Sequence, residues 1–321
     1  MYDKFMEKLV WQMFILGTGN LDEALKKGLG GVIFFTKDIE SEPQFKNLIS
    51  EIKTKALIPP FLSIDQEGGR VERTENIRPK RLSARTAFKK GLDYLQSQTK
   101  EISEELASYG INLNFAPCID VNTNPQNPII GERSFSSNTD EVITGMQVFI
   151  NESRKSKIIP CVKHFPGHGD ADKDSHLTLP KIELALEKME EIHIKPFKKA
   201  IKQKIEMIMV AHLHCSCFDR EIIPASLSSN AISYLRNTLN YDGVIISDDM
   251  IMKGVENFGK LEAILMGIKA GLDMFIFRQS DEETLKTIEE LCELAKKEDW
   301  LKQKIIESNE RINNLKNRYH L

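Results

Sequence analysis

The chain has no long block of Lys or Arg, and its formal net charge is −3. Both argue against nucleic acid as the main partner, because phosphate binding needs concentrated positive charge. Five cysteines, Cys118, Cys161, Cys215, Cys217 and Cys292, are odd in number and irregularly spaced. That excludes a disulfide framework and suits a reducing compartment. No apolar run spans a bilayer, since Leu9–Leu16 is short and interrupted by Gln12. Asp3 and Glu7 do not suit a signal peptide, so the expected location is the cytoplasm, with no membrane insertion. No repeat, low-complexity tract or Pro/Gly/Ser linker divides the sequence, and residues 1–321 are expected to form a single unit. Gly167-His168-Gly169 lacks the Gly-Lys-Ser/Thr of a phosphate loop.

The chain does contain short apolar runs alternating with amphipathic stretches. The runs are Gln12–Leu16, Gly31–Phe35, Phe61–Asp65, Asn112–Pro117, Ile159–His164, Met207–His212, Val244–Asp248 and Met274–Phe277. Rich in Ile, Val and Phe, they read as parallel strands buried on both faces. Between them, Ser41–Ala56, Ala87–Tyr109, Thr139–Ser156, Ile182–Lys204 and Asn230–Leu239 read as helices. Strand and helix alternating eight times predict a (β/α)8 TIM-type barrel. The charged stretch from about 281 to 321 is expected to pack on it as terminal helices.

Several runs end in polar residues, and in a barrel such ends converge on one pocket. Asp65 closes one run, Lys163 and His164 another, His212 a third, and Asp248-Asp249 a fourth. Strand alternation implies that one of Asp248 and Asp249 enters the pocket. The pair also reads as one residue capping the following helix and the other facing solvent. The densest segment is Lys163-His164-Phe165-Pro166-Gly167-His168-Gly169-Asp170, followed by Asp174-Ser175-His176. Asp174, two residues from His176, can raise that histidine's pKa and make it a proton donor near neutrality. The same pair also reads as a loop histidine bonded to a backbone carbonyl. Gly167 and Gly169 suggest a loop that closes over a ligand. Arg73 and Arg133 are donors suited to sugar oxygens, or surface ion pairs. His212, His214, Cys215 and Cys217 offer zinc-type ligands, but no Cys-x-x-Cys or helical His-x-x-x-His accompanies them. No metal or cofactor is expected.

These segments, together with Asp65-Gln66-Glu67-Gly68-Gly69-Arg70-Val71, Gly131-Glu132-Arg133-Ser134-Phe135, Pro224-Ala225-Ser226-Leu227-Ser228 and Gly243–Asp249, resemble glycoside hydrolase family 3, specifically its single-domain β-N-acetylhexosaminidases. The resemblance runs from about Gly30 to Asp273. It implies a (β/α)8 barrel, Asp248 as nucleophile, His176 as general acid/base and Asp174 as its partner. It further implies that Asp65, Arg73, Arg133, Lys163 and His164 bind a terminal N-acetylglucosamine. The function so implied is retaining exo-hydrolysis of β-linked N-acetylglucosamine from peptidoglycan fragments during cell-wall recycling. A phosphorylase or β-glucosidase of the same family, substrate-assisted catalysis, and a metal-dependent barrel hydrolase remain as alternatives. The stretch Ala171-Asp172-Lys173 and the segment His214-Cys215-Ser216-Cys217 depart from the family pattern.

Overall fold

The computed structural model describes residues 2–171 and 179–321. Its strands are β1 (Phe14–Leu16), β2 (Gly31–Phe34), β3 (Phe61–Ile64), β4 (Leu113–Asn114), β5 (Ile159–Phe165), β6 (Lys181–Ile182), β7 (Met207–Val210), β8 (His214–Cys215), β9 (Val244–Asp249) and β10 (Met274–Phe277). Eight of them close into a parallel barrel in the order β1-β10-β9-β7-β5-β4-β3-β2, while β6 and β8 pair beside it. This is the (β/α)8 fold expected from the apolar runs. The runs carry no solvent face because the barrel interior and the helical ring cover both sides: every residue of β1, β2, β3, β5, β7 and β10 is buried.

Local chemistry sets the helix ends. Ser41 accepts the Gln44 N–H at the start of Glu42–Lys55, and Asn138 accepts two N–H groups at the start of Thr139–Lys155. Three expected helices differ from the observed ones. The stretch 87–109 divides into Ala84–Lys89 and Leu92–Tyr109, because Gly91 adopts φ +110° between them. Within 182–204, Ile182 is drawn into a strand whose carbonyl accepts the Ser216 N–H at 3.0 Å. The rest of that stretch forms a helical turn at Leu186–Lys188, a wide turn at Met189–His193 and a helix from Lys195 to Lys202 with Pro196 in its first turn. The third, 230–239, widens after Ser233.

Helices Glu282–Ala295 and Asp299–Arg318 pack on the barrel. Asn309 donates to the Leu9 carbonyl, Arg311 pairs with Asp273, and Lys316 Nζ donates to Gln12 Oε1 (2.7 Å) and the Pro59 carbonyl (2.8 Å). Gln12, Pro59 and Asp273 all precede barrel strands, so this helix covers the N-terminal ends and leaves the opposite mouth open. Burial pushes the Lys316 amine from 10.5 down to about 7. Between these values the unfolded chain holds one proton more than the folded chain, so this group makes stability rise with pH across that window. Lys316→Met is expected to remove a slope of at most about 1.4 kcal/mol per pH unit. Urea unfolding of both proteins at several pH values between 7 and 10 checks this; equal slopes would contradict it.

Candidate active site

At the C-terminal ends of the strands lies a cavity of about 350 Å³. Asp65 reaches it from the end of β3, Lys163 and His164 from β5, Asp248 and Asp249 from β9, and Arg278 from just beyond β10. Arg70, Arg73 and Arg133 reach it from the loops after β3 and β4.

One wall is a chain of ion pairs. Lys163 Nζ lies 2.5 Å from Asp65 Oδ1 and 2.6 Å from Glu67 Oε1. Glu67 then receives Arg133 through Nε and Nη2, both at 2.9 Å, a planar two-point pairing. Arg133 Nη2 also lies 3.3 Å from His164 Nε2, and His164 Nδ1 lies 2.7 Å from Asp120 Oδ2. Asp120 is fully buried and accepts the backbone N–H groups of His164 and His168 as well as the Cys118 thiol. Burial opposes ionisation of Glu67, but Arg133 and Lys163 more than offset it and hold the carboxyl far below its usual range. Burial likewise opposes the charge on Lys163, and Asp65 and Glu67 more than restore it. Asp120 is held ionised against burial by His164 and His168. Few donors in this wall are free to move, so a ligand meets preorganised polar groups.

The opposite wall carries two adjacent carboxyls with divergent acidities. Asp248, partly open to the cavity, accepts the Asp249 N–H at 2.7 Å. Burial disfavours its charge, but His164, His212, that N–H and Lys163 together hold it below the usual carboxylate value. Asp249 is pushed up to about 6, first by burial and further by the charge of Asp248, with Arg278 opposing. Its carboxylate accepts the Arg278 backbone N–H at 3.2 Å and lies 3.2 Å from Arg278 Nε. His212 braces the strand end, with Nδ1 2.7 Å from Ser226 Oγ and Nε2 3.1 Å from the Asp249 carbonyl. A carboxylate kept ionised beside an open cavity can serve as a nucleophile or stabilise developing positive charge.

Asp65, Arg73, Arg133, Lys163, His164 and Asp248, expected from the sequence to share a site, all border this one cavity. Asp174 and His176 lie outside the described residues. Strict alternation does not hold at the strand ends: both Asp248 and Asp249 reach the cavity, and so do both Lys163 and His164. An extra residue on β9 between Ile246 and Asp249, opposite Met274–Ile276, and one on β5 between Val162 and Phe165, opposite Ile208–Val210, account for this, because a bulged strand loses its two-residue period. Arg133 is no surface ion pair; its partner Glu67 is buried. Gly167, with φ +121°, packs against His193, and a Cβ on Gly169 would collide with the Val121 carbonyl. Both glycines are buried and serve close packing.

Glu67, Asp120, Asp249 and Arg278 gain roles that the sequence alone does not assign them. Glu67 has a visible signal, an acid two residues beyond a strand-end Asp; Arg278, directly after Phe277, has the same. Among the described residues, Cys118, Asp120 and His164 place ligand-type atoms within 4.8 Å of one another. There Asp120 already accepts hydrogen bonds from both partners, so its oxygens are engaged within the protein. Of the zinc-type ligands noted in the sequence, His212 is engaged as above and His214 Nδ1 faces the Ile223 carbonyl at 3.3 Å.

The family model described as the glycosyl hydrolase family 3 N terminal domain matches residues 17–315. The chain belongs to glycosyl hydrolase family 3. It is 33% identical over 269 residues to beta-hexosaminidase A of Pseudoalteromonas piscicida, covering 77% of this chain and 45% of that protein. It is equally identical, over 269 residues, to a beta-hexosaminidase of Methylococcus capsulatus, covering 82% of this chain and 79% of the relative. The solved family 3 beta-N-acetylglucosaminidase from Paenibacillus superposes with a TM-score of 0.91 at 30% identity, covering 98% of this chain and 62% of that one. The chain thus spans under two thirds of the Pseudoalteromonas and Paenibacillus proteins. No helix of the described residues is long and apolar enough to cross a membrane.

Proposed function

We propose that this family 3 chain is a retaining exo-β-N-acetylglucosaminidase. The observation that carries the reading is the placement of Asp248 at the end of β9, ionised and facing a cavity whose other wall is a fixed array of donors and acceptors. Asp65, Arg73, Arg133, Lys163 and His164 would hold the hydroxyls of the terminal sugar and its acetamido group. Asp248 would attack the anomeric carbon while His176, in its protonated form and oriented by Asp174, donates to the leaving oxygen. Neutral His176 would then take a proton from water as the glycosyl-enzyme is hydrolysed, regenerating Asp248 with net retention. The roles of His176 and Asp174 rest on the family motif. The names of the curated and solved relatives support the N-acetylhexosamine preference.

Peptidoglycan fragments handled in the cytoplasm are the substrate and setting we favour, and all five cysteines being free thiols supports the reducing compartment. Release of 4-nitrophenol from its β-N-acetylglucosaminide, beside the β-glucoside, tests the specificity. The N-acetylglucosaminide is expected to be the better substrate by at least about tenfold in kcat/KM, since a site built to hydrogen-bond the acetamido group leaves polar groups unpaired without it. A preference for the glucoside would overturn the reading.

A further inference from the structure

The segment after β7 carries two thiols that the proposed reaction does not use. Cys215 Sγ and Cys217 Sγ lie 3.3 Å apart. A turn holds them together, the Phe218 and Asp219 N–H groups both donating to the Cys215 carbonyl, at 3.0 and 3.3 Å. The turn is anchored at β6, with the His214 N–H donating to the Pro180 carbonyl and the Ser216 N–H to the Ile182 carbonyl. Cys215 is buried, whereas Cys217 is partly exposed. The other thiols, Cys118, Cys161 and Cys292, are buried, and none of them pairs with a sulfur among the described residues.

From this geometry we infer that Cys215 and Cys217 form a redox-active dithiol that takes low-molecular-weight disulfides as its co-reactant. The sulfurs need to close from 3.3 Å to about 2.0 Å, a movement a three-residue turn can supply. Cys217, the accessible sulfur, attacks one sulfur of the small disulfide as a thiolate. That disulfide's S–S bond breaks, a mixed disulfide forms on Cys217, and the first small thiolate leaves. Cys215 then attacks Cys217 Sγ, the mixed bond breaks, and the second small thiolate leaves. Two cysteines lose two electrons, one small disulfide gains them, and the protons of the two cysteine thiols end on two small thiols. The exposure of Cys217 beside the buried Cys215 supports this order of attack. The inference stands on the thiol geometry and is independent of the glycosidase reading.

Incubation of the intact protein with oxidised glutathione, alkylation with iodoacetamide and peptide mass spectrometry provide the test. Cys215 and Cys217 are expected to lose their alkylation together and to be joined, with full recovery after dithiothreitol, while Cys118, Cys161 and Cys292 stay alkylatable after denaturation. Cys215→Ser is expected to retain one glutathione on Cys217, since the second attack is removed. Wild-type protein in which both residues remain alkylated in oxidised glutathione would overturn the inference, as would a Cys215→Ser variant carrying no glutathione on Cys217.

Discussion

Asp248→Ala is expected to lower kcat on a β-N-acetylglucosaminide by roughly 10⁴-fold or more, the scale on which removal of a nucleophile acts. Stability should hardly change. Asp248 Oδ1 accepts one backbone N–H, that of Asp249, and the group faces an open cavity where water can replace it. The stability change should therefore stay within about 1 kcal/mol. The contrast between a large kinetic and a small thermodynamic effect separates a reacting group from one that holds the barrel together. Steady-state kinetics beside urea unfolding of the same preparation read both. The adjacent Asp249 should behave differently, because its carboxylate is tied to Arg278 and the backbone of the β10 end. A large loss of stability in Asp248→Ala would mean that this carboxyl is structural.

Glu67→Ala is expected to destabilise the fold by about 3–5 kcal/mol, because it strips two buried cations of a shared partner. Arg133 loses both of its carboxylate contacts, and Lys163 keeps Asp65 alone. Glu67→Gln, which preserves an acceptor but not the charge, should fall between the alanine variant and wild type. The pH dependence provides a second readout. The folded-state pKa of Glu67 lies below its ordinary 4.5, so its stabilisation is fully present above that value and is lost as pH falls below it. The acid limb of the wild-type stability profile should therefore flatten in Glu67→Ala. Urea midpoints at pH 7 and pH 4 measure both effects, and a destabilisation below about 1 kcal/mol at pH 7 would show the network to be dispensable.

The barrel was legible in the sequence because its strands are buried on both faces and stand out as Ile/Val/Phe runs between amphipathic segments. Helix boundaries were less legible: Gly91 stops one expected helix, and Ile182 is claimed by a strand whose partner lies over thirty residues away. Residues bordering the cavity were legible where a polar side chain ends an apolar run, as at Asp65, Lys163, His164 and Asp248. Pairings were not. Glu67 and Arg133 are 66 residues apart and Asp120 and His164 are 44, and closure of the barrel is what brings them together. The two-residue period also failed where it was most needed, since β5 and β9 each carry an extra residue at the mouth and admit both members of each polar pair. The coverage of the terminal helix over the lower face, through Lys316, Arg311 and Asn309, left no trace in periodicity because it depends on single polar side chains reaching backbone and carboxylate acceptors.

The proposed mechanism turns on Asp248 forming a covalent bond to the sugar. A 2-deoxy-2-fluoro glycoside with a good leaving group slows the second step more than the first, so a glycosyl-enzyme accumulates. Peptide mass spectrometry of the inactivated protein should find the adduct on Asp248, absent from Asp248→Ala. An adduct on a different residue, or turnover of N-acetylglucosaminides undiminished in Asp248→Ala, would contradict that mechanism.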